Sequence, residues 1–191
     1  MHIAGIPDDA FIRGKVPMTK QEIRMLTLGK ARIKPDAVIL DIGAGTGSLS
    51  IEAGLLAPLG HVYAVERNAE AVELIRKNAE KFRVENMTLL SGEAPAALES
   101  VPPCDVILIG GTGSHLLEVL SRARALLKPE GTIVINAITL QTLAATVKSF
   151  KEAEDWCYEA IEVQINRWHT AGRYDMAQAL NPIHIISCKR R

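Results

Sequence analysis

Short apolar runs alternate with helix-length amphipathic segments along almost the whole chain, and that alternation leaves few folds open. The runs Ala37–Ile42, His61–Glu66, Met87–Leu90, Asp105–Ile109 and Thr132–Ala137 are strand-sized and nearly continuous in apolar residues. Strands of this kind are buried on both faces, which requires parallel pairing with crossover helices above and below. Thr19 with Glu22 reads as a capping box for a helix from about residue 20 to the low thirties. Further helices are expected over 47–57, after Asn68, over Leu116–Leu127 and over about 141–153, with Lys128-Pro129-Glu130-Gly131 as a turn. Two more strands are expected near Ala160–Asn166 and Ile183–Cys188, with 167–182 as an irregular connection. The expected architecture is α/β, a mostly parallel seven-stranded sheet with helices on both faces. Residues 1–191 read as one domain, of which 1–34 form an N-terminal segment and helix covering the site.

Composition supports a self-sufficient core: 191 residues, 48% hydrophobic and 23% charged. Cys104, Cys157 and Cys188 are far apart and form no CxxC pair, so neither a metal cluster nor a disulfide framework is expected. No apolar stretch approaches the roughly 20 residues of a membrane span, and residues 1–10 lack a signal core, so the expected location is cytoplasmic. Net charge is zero, which disfavours a nucleic-acid partner. The charge is uneven, however. Residues 1–34 carry seven basic and three acidic groups, and residues 166–191 carry five and one, around an acidic middle. Two basic ends could converge on an anionic ligand, or remain ordinary solvated surface.

The junction between the first strand and its helix reads Asp41-Ile42-Gly43-Ala44-Gly45-Thr46-Gly47. Glycines there permit positive φ and close approach of a ligand to the main chain. Glu66 closes the second strand, where a carboxylate can accept from two ribose hydroxyls. Three features argue against a nicotinamide dinucleotide. The spacing is GxGxG followed by Ser48 rather than GxGxxG; Asp41 suits an amino group better than a pyrophosphate; and no second domain holds a hydride acceptor.

These residues resemble the first motif of class I methyltransferases, and 128–131 resembles their turn before strand five. The resemblance implies a Rossmann-like fold and S-adenosylmethionine as cofactor. It also implies that Ala94, in the loop after strand three, meets the adenine through its main chain. The motif Asn/Asp-Pro-Pro-aromatic of amino-group methyltransferases is absent after strand four, and Cys104 lies at a strand start rather than in an acceptor loop. Instead Gly110-Gly111-Thr112-Gly113-Ser114 offers a second glycine loop, suited to a bulky flat acceptor or simply a flexible helix start.

A narrower resemblance spans nearly the whole chain. Gly5-Ile6-Pro7-Asp8, Arg13 to Lys20, Glu66-Arg67-Asn68, Gly92 to Pro95, Ile109-Gly110-Gly111, Asn136 to Leu140 and Ala179 to Pro182 are similar to the decarboxylating precorrin carbon-15 methyltransferases of cobalamin biosynthesis, in their stand-alone form. That family implies methylation of carbon 15 of cobalt-precorrin-6B, or precorrin-6B, with loss of the ring C acetate carboxyl. It implies cofactor contacts from Thr19, Gly43, Ala44, Gly45, Thr46, Gly47, Glu66 and Ala94, a homotetramer, and a carbon-5 methyltransferase subunit as functional partner. Because the macrocycle bears many carboxylates, Arg13, Lys15, Lys20, Arg167 and Arg173 become candidate anchors. Gly110, Gly111, Asn136 and Thr139 are candidate substrate contacts, the last two equally able to cap the next helix. His169 is the one histidine worth testing as an acid or base, and Trp168 could stack on a flat ligand. The alternatives are an RNA or protein methyltransferase and a non-catalytic cofactor-binding subunit.

Overall fold

The computed structural model describes residues 4–191. Five α-helices, α1 (Gln21–Ala31), α2 (Ser48–Leu56), α3 (Ala69–Phe82), α4 (Leu116–Leu126) and α5 (Leu140–Lys151), accompany nine strands among these residues. The strands are β1 (Val38–Ile42), β2 (His61–Glu66), β3 (Met87–Ser91), β4 (Cys104–Ile109), β5 (Leu127–Ala137), β6 (Trp156–Val163), β7 (Asn166–Ala171), β8 (Tyr174–Ala179) and β9 (Ile183–Arg190).

Seven strands form the main sheet in the order β3-β2-β1-β4-β5-β9-β6. The first five pair in parallel and β9 runs antiparallel between β5 and β6. Alternation along each central strand feeds two cores. Ile39, Val106, Leu108 and Val134 pack with Ile23, Leu49 and Ala53 from α1 and α2. Leu40, Ile42, Ile107 and Ile135 pack on the other face with Val119, Leu120 and Phe150 from α4 and α5. Both faces are therefore covered, which is why these strands read as unbroken apolar runs.

The strand order reverses between β1 and β4, so the loops after β1 and β4 diverge to opposite faces and leave a crevice at their carboxyl ends. The two glycine loops lie at that crevice.

Several local expectations need correction. Residues 167–182 are no irregular connection: β7 and β8 form a hairpin of their own, turning at Gly172 with φ 64°. Every residue of both strands is exposed, so no burial-driven alternation marks them in the sequence. Residues 128–131 lie inside β5 as an irregularity, since the register with β4 shifts between Cys104 and Val106. β6 starts at Trp156, earlier than expected, because Trp156 is buried against Phe150. Thr19 does not cap α1; Lys20 stands at the N-cap without a side-chain bond. Asn68 does cap α3, accepting from the Ala71 N–H at 3.1 Å.

Candidate active site

At the crevice the two glycine loops touch. Gly43 has φ 74°, and a Cβ on it would stand 2.3 Å from the Gly111 carbonyl oxygen. Gly43 is thus required by a neighbouring main chain as well as by its own backbone conformation. The Gly43 and Ala44 N–H groups donate to the Val65 carbonyl at 2.9 and 3.1 Å, which ties the first loop to β2. Glu66, next along β2, completes the tie. Its carboxylate accepts from the N–H groups of Gly45 (2.9 Å), Arg67 (2.9 Å) and Asn68 (2.8 Å). A carboxylate offers about four acceptor sites, so Glu66 both shapes the loop and keeps capacity for a ligand.

Asp41 lies beneath this loop, 1% exposed, with its carboxylate accepting the Ser50 hydroxyl. Burial pushes its pKa up to about 6; the Ser50 hydrogen bond opposes the rise and the charge of Glu66 adds to it. Ala44, Thr46 and Gly47 of the same loop are buried as well. The Thr46 hydroxyl is buried without a protein partner among the described residues, and Gly47 packs on Ile75.

A cavity of about 850 Å³ opens above the loop. Its floor is main chain at Gly43, Gly45, Gly110 and Gly111. Glu66, Arg67, Asn68 and Glu70 wall one end, and Asn136, Ile138, Ile165, Leu180, Asn181 and Ile183 wall the other. The roof is the segment Lys15 to Lys20 with Ile23. A smaller pocket of about 160 Å³ shares Gly43, Glu66, Arg67 and Gly111 with it and ends at Gly92, Glu93 and Ala94. Arg67 and Glu93 pair across this pocket.

Of the residues singled out from sequence, Thr19, Gly43, Gly45, Glu66, Lys15, Lys20, Gly110, Gly111 and Asn136 line the large cavity, and Ala94 lines the small one. Others stand elsewhere. Thr139 caps α5, accepting from the Thr142 N–H at 3.2 Å, and does not line the cavity. Arg13 is exposed outside it. Arg173 sits at the hairpin turn, its guanidinium 5.0 Å from the Tyr174 ring centroid. His169 and Trp168 are exposed on β7, away from the cavity. Arg167 pairs with Glu22 at 2.8 Å and does not line the cavity. The Lys189–Arg191 tail lies at the far edge, where the Arg191 N–H donates to the Asp155 carbonyl.

The apolar residues Ile165 and Ile183 of the cavity wall escape motif reading, because scattered apolar residues look like core. Only their place, just after β6 and at the start of β9, flags them. Among the described residues no cluster of His, Cys, Asp and Glu is arranged to hold a metal.

Sheet order, a glycine loop at the switch point and an acidic residue closing the neighbouring strand together define a Rossmann-like methyltransferase. More narrowly, the chain belongs to the precorrin methyltransferase domain family, whose model matches residues 9–190. A relative in Sulfurisphaera tokodaii, called a probable cobalt-precorrin-6B C(15)-methyltransferase (decarboxylating), is 43% identical over 97% of both chains. A solved precorrin-6Y C5,15-methyltransferase structure from Geobacter metallireducens superposes with a TM-score of 0.92 at 40% identity, covering 99% of this chain and 97% of that one. A Methanobacterium thermoautotrophicum structure described as precorrin 8w decarboxylase gives 0.90 at 33%, covering 95% and 98%.

Proposed function

We propose that the protein transfers the methyl group of S-adenosylmethionine to carbon 15 of cobalt-precorrin-6B, or precorrin-6B, with loss of the ring C acetate as carbon dioxide. The observation that carries this reading is one continuous cavity with two chemically different ends. Glu66 and the glycine main chain suit a nucleoside with a charged tail, while the β5–β9 end is mostly apolar and broad. Ligand pockets typically measure about 300–1,000 Å³, so a volume of about 850 Å³ leaves room beside a cofactor for part of a macrocycle.

When bound, the cofactor supplies an electrophilic methyl group. Glu66 would hold its ribose, the main chain at Ala94 its adenine, and the Thr19 and Gly43–Gly45 region its amino-acid end. Asp41, buried below, would act on that end through the loop. Lys15 and Lys20 would hold substrate carboxylates at the roof. The protein's work is alignment and water exclusion, worth up to about 7–11 kcal/mol for an in-line transfer. An electron-rich ring carbon asks for no protein nucleophile.

By the same reading residues 1–191 act as one domain with 1–34 as a cover, of which the first three lie outside the described residues; the protein is cytoplasmic, and a carbon-5 methyltransferase is its functional partner. Among the described residues no helix is long and apolar enough to cross a membrane. RNA and protein acceptors are not favoured by any feature of the cavity. Transfer of a labelled methyl group to cobalt-precorrin-6B, bulk RNA and peptide in parallel tests the proposal. Label in the corrinoid alone supports it, and label in RNA or peptide alone overturns it.

A further inference from the structure

Asn136, one residue before the end of β5, lines the acceptor end of the cavity, and among the described residues its side chain has one hydrogen-bond partner, Thr27 on α1. As placed, its Oδ1 lies 3.0 Å from the Thr27 hydroxyl oxygen. Thr27 is wholly buried, and the same oxygen lies 2.7 Å from the Ile23 carbonyl. A threonine hydroxyl carries one proton, and a carbonyl can only accept. If that proton went to Asn136, the hydroxyl and the Ile23 carbonyl would face each other at 2.7 Å without a hydrogen. Both contacts are satisfied only when Thr27 donates to Ile23 and accepts from the Asn136 NH2. The two ends of a carboxamide are alike in shape, so hydrogen bonding decides between them. The remaining amide atom has no protein partner among the described residues, yet is not sealed from solvent, and so faces the cavity.

We propose that Thr27 locks Asn136 with its carbonyl oxygen toward the cavity, and that this oxygen, beside Ile138 and Ile183, marks the place of the carboxylate that is lost. The inference rests on the corrinoid reading above. Decarboxylation breaks the bond between the acetate methylene and its carboxyl carbon. The electron pair enters the conjugated ring, neutral carbon dioxide leaves, and a proton from solvent turns the methylene into a methyl group. Negative charge therefore leaves the carboxylate as the transition state forms. A donor bonded to that carboxylate would stabilise the starting state more than the transition state; an acceptor oxygen and an apolar wall do the reverse. Thr27, which acts through Asn136, is in this sense a positioning residue, and Lys15 and Lys20 in the roof are free to hold carboxylates that are kept.

The test compares Thr27→Val, which keeps the shape and removes the hydroxyl, with Thr27→Ser, which keeps the hydroxyl. In Thr27→Val the amide is free to turn its NH2 toward the carboxylate. The expected result is a product that is methylated but retains the carboxyl, with the ratio of decarboxylation to methylation falling about tenfold, the size of one hydrogen bond. Thr27→Ser should partition like the unmodified protein. An unchanged ratio in Thr27→Val, or equal shifts in both variants, overturns the proposal. The side-chain 15N resonance of Asn136 reads the orientation without turnover: its NH2 protons should be protected from exchange and lose that protection in Thr27→Val. Unprotected protons in the unmodified protein would refute the lock itself. Failure of the unmodified protein to methylate the corrinoid while the protons are protected would instead sink the functional reading.

Discussion

Glu66 is the residue proposed to hold the cofactor ribose, and its three main-chain bonds change how it should be tested. Truncation to alanine would also release the Gly45 loop, so Glu66→Gln is the cleaner probe. It keeps one acceptor and removes the charge. Charge-assisted bonds are worth about 1.5–3 kcal/mol each, so affinity for S-adenosylmethionine should fall at least about tenfold by calorimetry. Unchanged affinity would contradict the ribose assignment.

Asp41 gives a pH-dependent prediction at the same scale. Its native pKa, raised to about 6, lies above the ordinary value of 3.8. Between these values the native state binds more protons than the unfolded state, so this residue's contribution to stability falls as pH rises through that window. Asp41→Asn should therefore be more stable than the unmodified protein above pH 6, by up to about 3 kcal/mol, with the gap closing near pH 4. Thermal melts of the cofactor-free proteins check this; parallel pH profiles would refute it. The motif placed Asp41 at the right strand end, but its distance from the cavity depends on Ser50 and on burial, which no local pattern encodes.

Elements were legible where both faces are buried and obscure where neither is. The runs at β1, β2 and β4 follow directly from two-sided packing, whereas the β7–β8 hairpin, exposed throughout, carries no such signature. The roof of the cavity is a third case. Residues 5–20 contain no long regular element, yet are held by side chains reaching from three helices. Arg24 on α1 donates to Asp8, to the Thr19 and Ile6 carbonyls, and to Glu52 on α2 at 2.7 Å. Asn78 on α3 accepts from the Ile12 N–H at 2.7 Å and donates back to its carbonyl. Apart from Thr19, five positions before Arg24, these partners lie 16 to 66 positions away, beyond any spacing rule. Arg24 and Glu52 are both fully buried, so Arg24→Met strands a buried carboxylate and should cost roughly 3–5 kcal/mol. Denaturant melts read the loss, and limited proteolysis should cut first within residues 5–20. A cost below about 1 kcal/mol would contradict the anchoring role.

For the whole molecule, the suspected convergence of basic ends is half met. Lys15 and Lys20 reach the cavity and Arg167 meets Glu22 beside it, but Arg173 and the Lys189–Arg191 tail do not take part. The hairpin instead presents Trp168 (72% exposed), Tyr174 and Met176 to solvent, an apolar arm that a homotetramer would bury. Light scattering of the pure protein should give four times 20.8 kDa, and a monomer mass would rule the assembly out.

On the function proposed, one cavity joins a cofactor end to a corrinoid end and serves both steps. Mass spectrometry of cobalt-precorrin-6B after incubation with the protein and methyl-labelled S-adenosylmethionine tests it most directly. The expected product has gained one labelled methyl group and lost one carbon dioxide. An unaltered corrinoid, or carbon dioxide loss without label, would contradict it.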